Sequence, residues 1–184
     1  KIIERFHHLP EYLDAMVDIA KEFDHTQYDH VLFSFHGVPE RQITKTSAEL
    51  GDGKCSFDSC CDVSTEGNKY CYRANCIQTA LELAKRLNIP KEHYTIAFQS
   101  RLGRTPWLQP FSDKVIIDLA KQGKKKLLAF SPAFVADCLE TIHEIAVEYD
   151  ELFREHGGEK VQLVPALNSR DSWAKTLQKI ILAN

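Results

Sequence analysis

The sequence predicts an α/β fold in which helices cover both faces of a parallel sheet. Short apolar segments at residues 30–35, 93–98, 125–130 and 160–164 have the length and composition of buried strands. Segments with apolar residues at helical spacing lie before, between and after them. Because this alternation is typical of parallel strands joined by right-handed crossovers, we expect a three-layer α/β/α sandwich with a four-stranded parallel sheet.

Helical segments flank these strands. Residues 10–23 carry apolar side chains at positions 13, 16, 17 and 20, and residues 70–87 show similar spacing before Pro90 stops the helix. Residues 113–121 form a helix that Gly123 closes, and residues 171–182 form the last one. Residues 42–68 are polar, contain three glycines and show little periodicity, so they predict a long loop.

Between the third and fourth strands, residues 130–148 lead into a helix with an acidic face. At about 100° per residue, one side is an apolar stripe that packs on the sheet, formed by Leu139, Ile142, Ala146, Tyr149 and Phe153. The other side collects Asp137, Glu140, Glu144 and Glu148. Like charges four residues apart repel by roughly 0.2–0.5 kcal/mol per pair, and hard divalent cations bind carboxylate oxygens. The acidic face is therefore either a solvated surface or a metal site.

The composition indicates a globular protein of one domain. The chain has 184 residues, 27% of them charged, and a net charge of −3, which argues against nucleic acid as a partner. No apolar run reaches the ~20 residues that a membrane span needs, and the first residues lack the apolar core of a signal peptide. These features predict a cytoplasmic protein. Because the sequence begins at Lys1 rather than at methionine, we also expect it to be part of a longer chain.

Polar residues follow the predicted strands at their carboxyl ends, where open parallel sheets bind ligands. They are His36, Ser100, Arg101, Asp137, Glu140 and Asn168. His36 precedes Gly37, which lets a flat ligand approach the backbone, and a neutral imidazole can bind a transition metal or accept a proton. An ordinary hydrogen-bonded histidine is the alternative. Glu140 is the partner that we expect for His36.

Three motifs of this chain closely resemble those of ferrochelatases. They are SFHGVPER at residues 34–41, QSRLG at residues 99–103 with Trp107 and Leu108, and SPAFVADCLET at residues 131–141. Their order and spacing match that family from about residue 6 to residue 168. The match covers the carboxyl-terminal half of a family whose members have two similar α/β halves around a porphyrin cleft. The resemblance therefore implies one chelatase-like domain at residues 1–184 and a missing amino-terminal half.

The resemblance implies that the whole protein inserts ferrous iron, its metal substrate, into protoporphyrin IX or coproporphyrin III. By analogy, His36 and Glu140 are the catalytic pair, acting as metal ligands or as proton acceptors. Glu144 and Glu148 resemble the acidic ridge that conducts metal or protons to this pair. We expect the 184-residue half alone to have little activity.

The residues that the resemblance places against the porphyrin are Trp107, Phe134 and Arg101. For either aromatic residue a place in the core is an alternative, and Arg101 could brace a loop instead of pairing with a propionate. Two other functions stay open: a chelatase for another metal or tetrapyrrole, and a metal- or porphyrin-binding module that is inactive without the other half. Peripheral contact with a membrane also stays open.

Five of the six cysteines lie close together, at about residues 54–76, where the chain resembles the family pattern with an insertion. They are Cys55, Cys60, Cys61, Cys71 and Cys76. Some ferrochelatases carry a 2Fe–2S cluster, and such clusters take four thiolates. Cys55, Cys60, Cys71 and Cys76 could supply them, with Cys61 in place of Cys60 as a variant. Zinc, a disulfide and free thiols are the alternatives, since the spacing differs from the usual iron–sulfur patterns.

Overall fold

The computed structural model describes residues 2–183. Its α-helices are α1 (Pro10–Ala20), α2 (Glu40–Leu50), α3 (Tyr72–Arg86), α4 (Ser112–Lys121), α5 (Leu139–Ile142), α6 (Asp150–Glu155) and α7 (Asp171–Leu182). A π-helix at Glu144–Tyr149 lies between α5 and α6, and 3-10 turns occupy His25–Gln27, Ser59–Cys61 and Lys91–His93. Within the described residues, no helix is both long and apolar enough to cross a bilayer.

The sheet of this part of the chain has four parallel strands, as predicted. They are β1 (His30–His36), β2 (Tyr94–Gln99), β3 (Lys126–Phe130) and β4 (Lys160–Leu163). Their order across the sheet is β2-β1-β3-β4, so β1 and β3 are central. In the register of β1 against β2, His36 lies beside Gln99. All the strands end at one edge, where the polar residues that follow them can converge.

Each face of the sheet has its own apolar core, because side chains alternate along a strand. Phe33 and Phe35 of β1 belong to the core that α1, α3 and α7 cover. Leu32 of β1 and Leu127 of β3 belong to the opposite core, which packs against α4, the π-helix and α6. Helices therefore cover both faces, and the predicted α/β/α sandwich is confirmed.

The predicted loop at residues 42–68 is wrong over its first part, because α2 covers Glu40–Leu50. Ile43 and Ser47 are the buried residues of α2, and they lie four positions apart on one face. α2 was missed because it is polar overall and has few apolar side chains, although those it has lie on one face. The chain from residue 51 to residue 71 does lack longer elements and contains only the turn at Ser59–Cys61.

The predicted apolar stripe on the acidic helix is also wrong in part. Leu139 and Ile142 are 73% and 56% exposed, whereas Tyr149 and Phe153 are buried as expected. The reason is the π-helix, whose wider turns break the periodicity that an α-helix would have. Glu144 consequently leaves the outer face and turns toward the end of β2.

Candidate active site

His36 is the last residue of β1 and lies at the carboxyl edge of the sheet. Its ring Nδ1 is 2.6 Å from the carbonyl oxygen of Gly37. Because a carbonyl oxygen only accepts, Nδ1 carries the proton of the neutral ring and Nε2 keeps its lone pair. The side chain is half-buried. His36 thus offers one nitrogen lone pair that can bind a metal or take a proton.

Gly37 allows aromatic side chains to lie close to His36. A Cβ at this position would be 2.9 Å from the carbonyl oxygen of Gln99 and 3.3 Å from the Trp107 ring, closer than a side chain normally tolerates. The Phe134 ring meets the His36 ring edge to face, with centroids 6.2 Å apart. The structure therefore brings both aromatic residues that the sequence singled out to the neighbourhood of His36.

Glu140 lies in the first turn of α5, and its backbone carbonyl accepts from the side chain of Gln99, the register partner of His36. The pKa of Glu140 is lowered first by a hydrogen bond from the Cys138 thiol, then by its own backbone N–H, and last by the positive charge of His36 when that ring is protonated. This carboxylate therefore stays ionised at neutral pH. Cys138 occupies the N-cap position of α5. Burial is the largest cause that raises the pKa of its thiol, and the hydrogen bond with the Glu140 side chain is the next. The thiol consequently remains protonated and acts as the donor.

Glu144, the first residue of the π-helix, accepts four hydrogen bonds from protein groups. Its Oε1 accepts from the backbone N–H of Ser100 at 3.0 Å and from the Tyr149 hydroxyl at 2.9 Å. Its Oε2 accepts from the side-chain amide of Gln99 at 3.1 Å and from the Ser100 hydroxyl. Glu144 thus ties the π-helix to the end of β2. Its role toward a metal stays a prediction.

Gln99 is a buried side chain that hydrogen-bonds to several parts of this site, and it was not predicted from the sequence as a site residue. Its side-chain amide donates to the backbone carbonyl of Glu140 at 2.7 Å as well as to Glu144. Its side-chain oxygen accepts from the Ser34 hydroxyl of β1 at 2.8 Å. Gln99 therefore connects the central strand to both acids. A glutamine that ends an apolar strand is the signal that could have identified it, because buried polar side chains require partners.

The other acidic residues of this region lie in different surroundings. Glu148 is exposed, and its carboxylate is 3.4 Å from the His143 ring. Asp137 precedes α5, and its carboxylate accepts from the Asn168 side chain at 2.7 Å and from the Thr141 hydroxyl at 3.0 Å. The Asn168 side chain in turn accepts from the backbone N–H of Asp137. Asp137 and Asn168 thus fasten the loop after β4 to the start of α5.

Arg101 is exposed after β2 and pairs with Asp113 of α4. Nη1 and Nη2 of the guanidinium each donate to one carboxylate oxygen at 2.8 Å. The guanidinium also lies 4.3 Å from the centroid of the Phe111 ring. This hydrogen-bonded pair raises the pKa of Arg101 and lowers the pKa of Asp113. The structure shows the loop-bracing contact that the sequence allowed. A contact between Arg101 and a propionate stays a prediction.

A separate group of thiols lies between α2 and the start of α3. Its members line one cavity of about 270 Å³, and they are Cys55, Cys60, Cys61 and Cys71. The Sγ atoms of Cys60 and Cys61 are 3.8 Å apart. A hydrogen bond from Cys61 lowers the pKa of Cys71 to about 7, which favours a thiolate. Within residues 2–183, no three His, Cys, Asp or Glu side chains already stand in an arrangement that could hold a metal ion.

Cys76 lies outside this cavity, although the sequence grouped it with the other cysteines. It is buried on α3 beside Tyr72 and lines a different cavity, next to Tyr12 and Phe35. Burial raises the pKa of its thiol, so it stays protonated. Its place on the inner face of a helix, five positions after Cys71, could not be read from cysteine spacing alone.

The parallel strand order and the polar carboxyl edge, where an acidic π-helix contacts the end of β2, define an α/β protein with a candidate site at that edge. A family model described as Ferrochelatase matches residues 1–184. The chain therefore belongs to the ferrochelatase family, as its motifs predicted.

Individual relatives agree with this assignment. The chain is 46% identical over 179 residues to a ferrochelatase of Pseudomonas fluorescens strain SBW25, covering 97% of this chain and 52% of that protein. It is 39% identical over 180 residues to a ferrochelatase of Coxiella burnetii strain Dugway 5J108-111, covering 97% of this chain and 50% of that protein. The chain thus spans about half the length of the curated relatives that it matches.

Proposed function

We propose that the whole protein containing this chain is a ferrochelatase, which inserts ferrous iron into a porphyrin, either protoporphyrin IX or coproporphyrin III. The observation that carries the proposal is the carboxyl edge of the sheet, where His36 keeps an Nε2 lone pair and Gln99, its register partner, donates to the backbone carbonyl of Glu140. Family membership over the whole chain supports the same conclusion. The natural setting that we propose is the cytoplasm, with at most peripheral membrane contact.

The chemistry of metal insertion matches the groups at this edge. A porphyrin must lose two pyrrole N–H protons, and the metal must exchange water for nitrogen ligands. His36 supplies a neutral nitrogen that can accept a proton or bind iron, because its Nδ1 proton is engaged by Gly37. Glu140 supplies a negative charge that attracts ferrous iron or stabilises a protonated His36. The two side chains together provide both a base and a ligand.

We propose that iron reaches this pair along the acidic residues of α5 and the π-helix. Glu148 is exposed and meets hydrated ions directly, whereas Glu144 lies further in and is held by Ser100, Gln99 and Tyr149. Glu144 would have to exchange at least one of these donors to bind iron. The proposed metal residues are Glu148, Glu144, Glu140 and His36.

We propose that the porphyrin lies against Trp107 and Phe134, whose rings flank the Gly37 and His36 segment. Aromatic rings favour such stacking contacts with a flat macrocycle. Leu102, Leu139 and Ile142 are exposed apolar side chains of the same edge. They are available to the porphyrin or to the amino-terminal half of the protein, which we propose as the second wall of the cleft.

We further propose that the thiol cavity holds a 2Fe–2S cluster. The donor chemistry fits, because the cavity brings together four thiols and such clusters take four thiolates. Two of these sulfur atoms, Sγ of Cys60 and Sγ of Cys61, are 3.8 Å apart. The residues that would hold the group are Cys55, Cys60, Cys61 and Cys71, and a bound cluster would supply one-electron redox chemistry there.

The proposed function is tested with the full-length protein. We expect it to incorporate ferrous iron into protoporphyrin IX or coproporphyrin III anaerobically, as followed by the change in porphyrin absorbance. Replacing His36 by alanine should abolish turnover, while the 184-residue chain alone should have little activity. Preference for cobalt, or for a corrin precursor over both porphyrins, would overturn the proposal. An anaerobic preparation that contains no iron or sulfide and has no visible absorbance would overturn the proposal of a 2Fe–2S cluster.

A further inference from the structure

One peptide unit, between His36 and Gly37, is held at both of its polar ends. The carbonyl oxygen of His36 accepts from the hydroxyl of Tyr72 at 2.8 Å. The N–H of Gly37 donates to the carbonyl oxygen of Gln99 at 2.7 Å. The first contact comes from α3 and the second from β2, so two different elements fix the orientation of this peptide.

The orientation of this peptide determines where the His36 ring can lie. The ring Nδ1 donates to the carbonyl oxygen of Gly37, which belongs to the very next peptide unit. If the first peptide rotated, the Cα of Gly37 and its carbonyl would move with it, and the ring would lose its acceptor. The hydrogen bond that selects the Nδ1–H tautomer therefore depends on the contacts that clamp the preceding peptide.

We infer that Tyr72 is a positioning residue for the reaction of His36, because its hydroxyl clamps the peptide on which the Nδ1–H tautomer depends. Tyr72 is the first residue of α3, and its phenol is un-ionised at neutral pH, so it donates to the carbonyl. Its ring is packed beside Cys76 in the cavity behind β1. This inference rests on the proposed function of His36.

Tyr12 provides a matched control on the same side of the sheet. It lines the same cavity as Tyr72, and its hydroxyl donates to a backbone carbonyl, that of Pro132, at 2.7 Å. Tyr12→Phe and Tyr72→Phe each remove one phenol hydroxyl from a backbone acceptor while keeping the ring. The two variants differ in whether the acceptor is the His36 peptide.

The experiment compares these two variants in the full-length protein. For Tyr72→Phe we expect kcat to fall about tenfold or more, with the KM for the porphyrin unchanged within about twofold, since misplaced catalytic groups cost rate. Tyr12→Phe should lower the melting temperature to a similar extent and keep kcat within about twofold. A wild-type kcat in the Tyr72→Phe protein, or an equal loss in Tyr12→Phe, would overturn the inference.

A spectroscopic measurement separates this inference from the proposed activity. In protein labelled with ¹⁵N-histidine, the signals that disappear in His36→Ala report the tautomer of His36. We expect the Nδ1–H tautomer in the wild type and in Tyr12→Phe, and a mixture of tautomers in Tyr72→Phe. An unchanged tautomer in Tyr72→Phe would overturn the inference even if the enzyme is active. An altered tautomer in a protein without iron-insertion activity would contradict only the proposed function.

Discussion

Ser100 holds the carboxylate of Glu144 through two donors, its backbone N–H at 3.0 Å and its hydroxyl. Ser100 adopts a φ of 60°, in the left-handed region that residues other than glycine rarely occupy. This conformation ends β2 sharply and turns both donors toward the π-helix. The cost of such a backbone, about 1–3 kcal/mol, is offset by the two hydrogen bonds that Ser100 donates to this carboxylate.

The first prediction concerns this contact. Replacing Glu144 by glutamine puts an amide group where a carboxylate oxygen accepted two hydrogen bonds, so at least one donor loses its acceptor. We expect the free energy of unfolding to fall by about 1–3 kcal/mol, measured by urea denaturation. Glu151→Gln, at an exposed position of α6, is the control and should change stability by less than about 0.5 kcal/mol. Equal stability of the two variants would contradict the proposed anchoring role.

The second prediction separates the acids by their surroundings. Glu140 is coupled to His36, whereas Glu148 is exposed beside His143. We expect Glu140→Gln to lower kcat about 100-fold or more in the full-length protein, since a charge that stabilises a reacting group is lost. Glu148→Gln should lower it less than about fivefold. Steady-state rates with saturating porphyrin measure both, and similar losses would remove the special role of Glu140.

The third prediction decides between the two roles of Arg101. If Arg101 braces the loop, Arg101→Ala and Asp113→Ala should lower the free energy of unfolding by similar amounts. The double mutant should then show an interaction energy between the two side chains of about 0.2–1 kcal/mol. If Arg101 also pairs with a propionate, only Arg101→Ala should raise the KM for the porphyrin. Unfolding curves and substrate titrations of the three variants distinguish these outcomes.

The fourth prediction concerns the thiols. The cavity selects Cys55, Cys60, Cys61 and Cys71 and leaves out Cys76, which is buried behind β1. We expect serine at any of those four positions to remove the visible absorbance and the bound iron and sulfide of anaerobically purified protein. Cys76→Ser is the matched control and should keep them. Loss of the chromophore in Cys76→Ser, with retention in Cys61→Ser, would reverse the ligand assignment.

The fifth prediction is a dependence of stability on pH. Burial, with smaller effects of Lys124 and His93, lowers the pKa of His30 to about 4, whereas an unfolded histidine titrates near 6.5. Between these values the unfolded chain binds more protons, so stability is complete above about pH 6.5 and falls as the pH decreases toward 4. In His30→Gln this slope should decrease by up to about 1.4 kcal/mol per pH unit. Urea denaturation at pH 4.5, 5.5 and 7 measures it, with exposed His143→Gln as the control.

Much of the fold could be predicted because its strands are buried on both faces. A strand such as β1, covered by helices on either side, must be apolar throughout, and this run is visible in the sequence. The polar residues that end such strands then lie at one edge, which is why His36 and Glu140 were found together as candidates. α2 was not predicted because the helix is polar overall and Ile43 is its only buried apolar side chain.

The finer arrangement of the site could not be predicted because it depends on a helix that departs from α-geometry. The spacing of Glu140, Glu144 and Glu148 suggests one column of equivalent acids. The π-helix instead directs Glu144 to Gln99 and Ser100 and leaves Glu148 in solvent. No local sequence pattern predicts the change from α-helix to π-helix, because the inward turn of Glu144 depends on the donors at the end of β2.

The sequence by itself determined the class of fold, the family and the edge of the sheet where the candidate site lies, because hydrophobic burial and strand direction are recorded in local patterns and motifs. Only the tertiary structure decided which carboxylate is free and which is anchored, which four thiols share a cavity, and how Tyr72 and Gln99 hold the His36 peptide. These contacts join residues tens of positions apart, and hydrogen bonds require distances and angles that spacing along a chain does not contain.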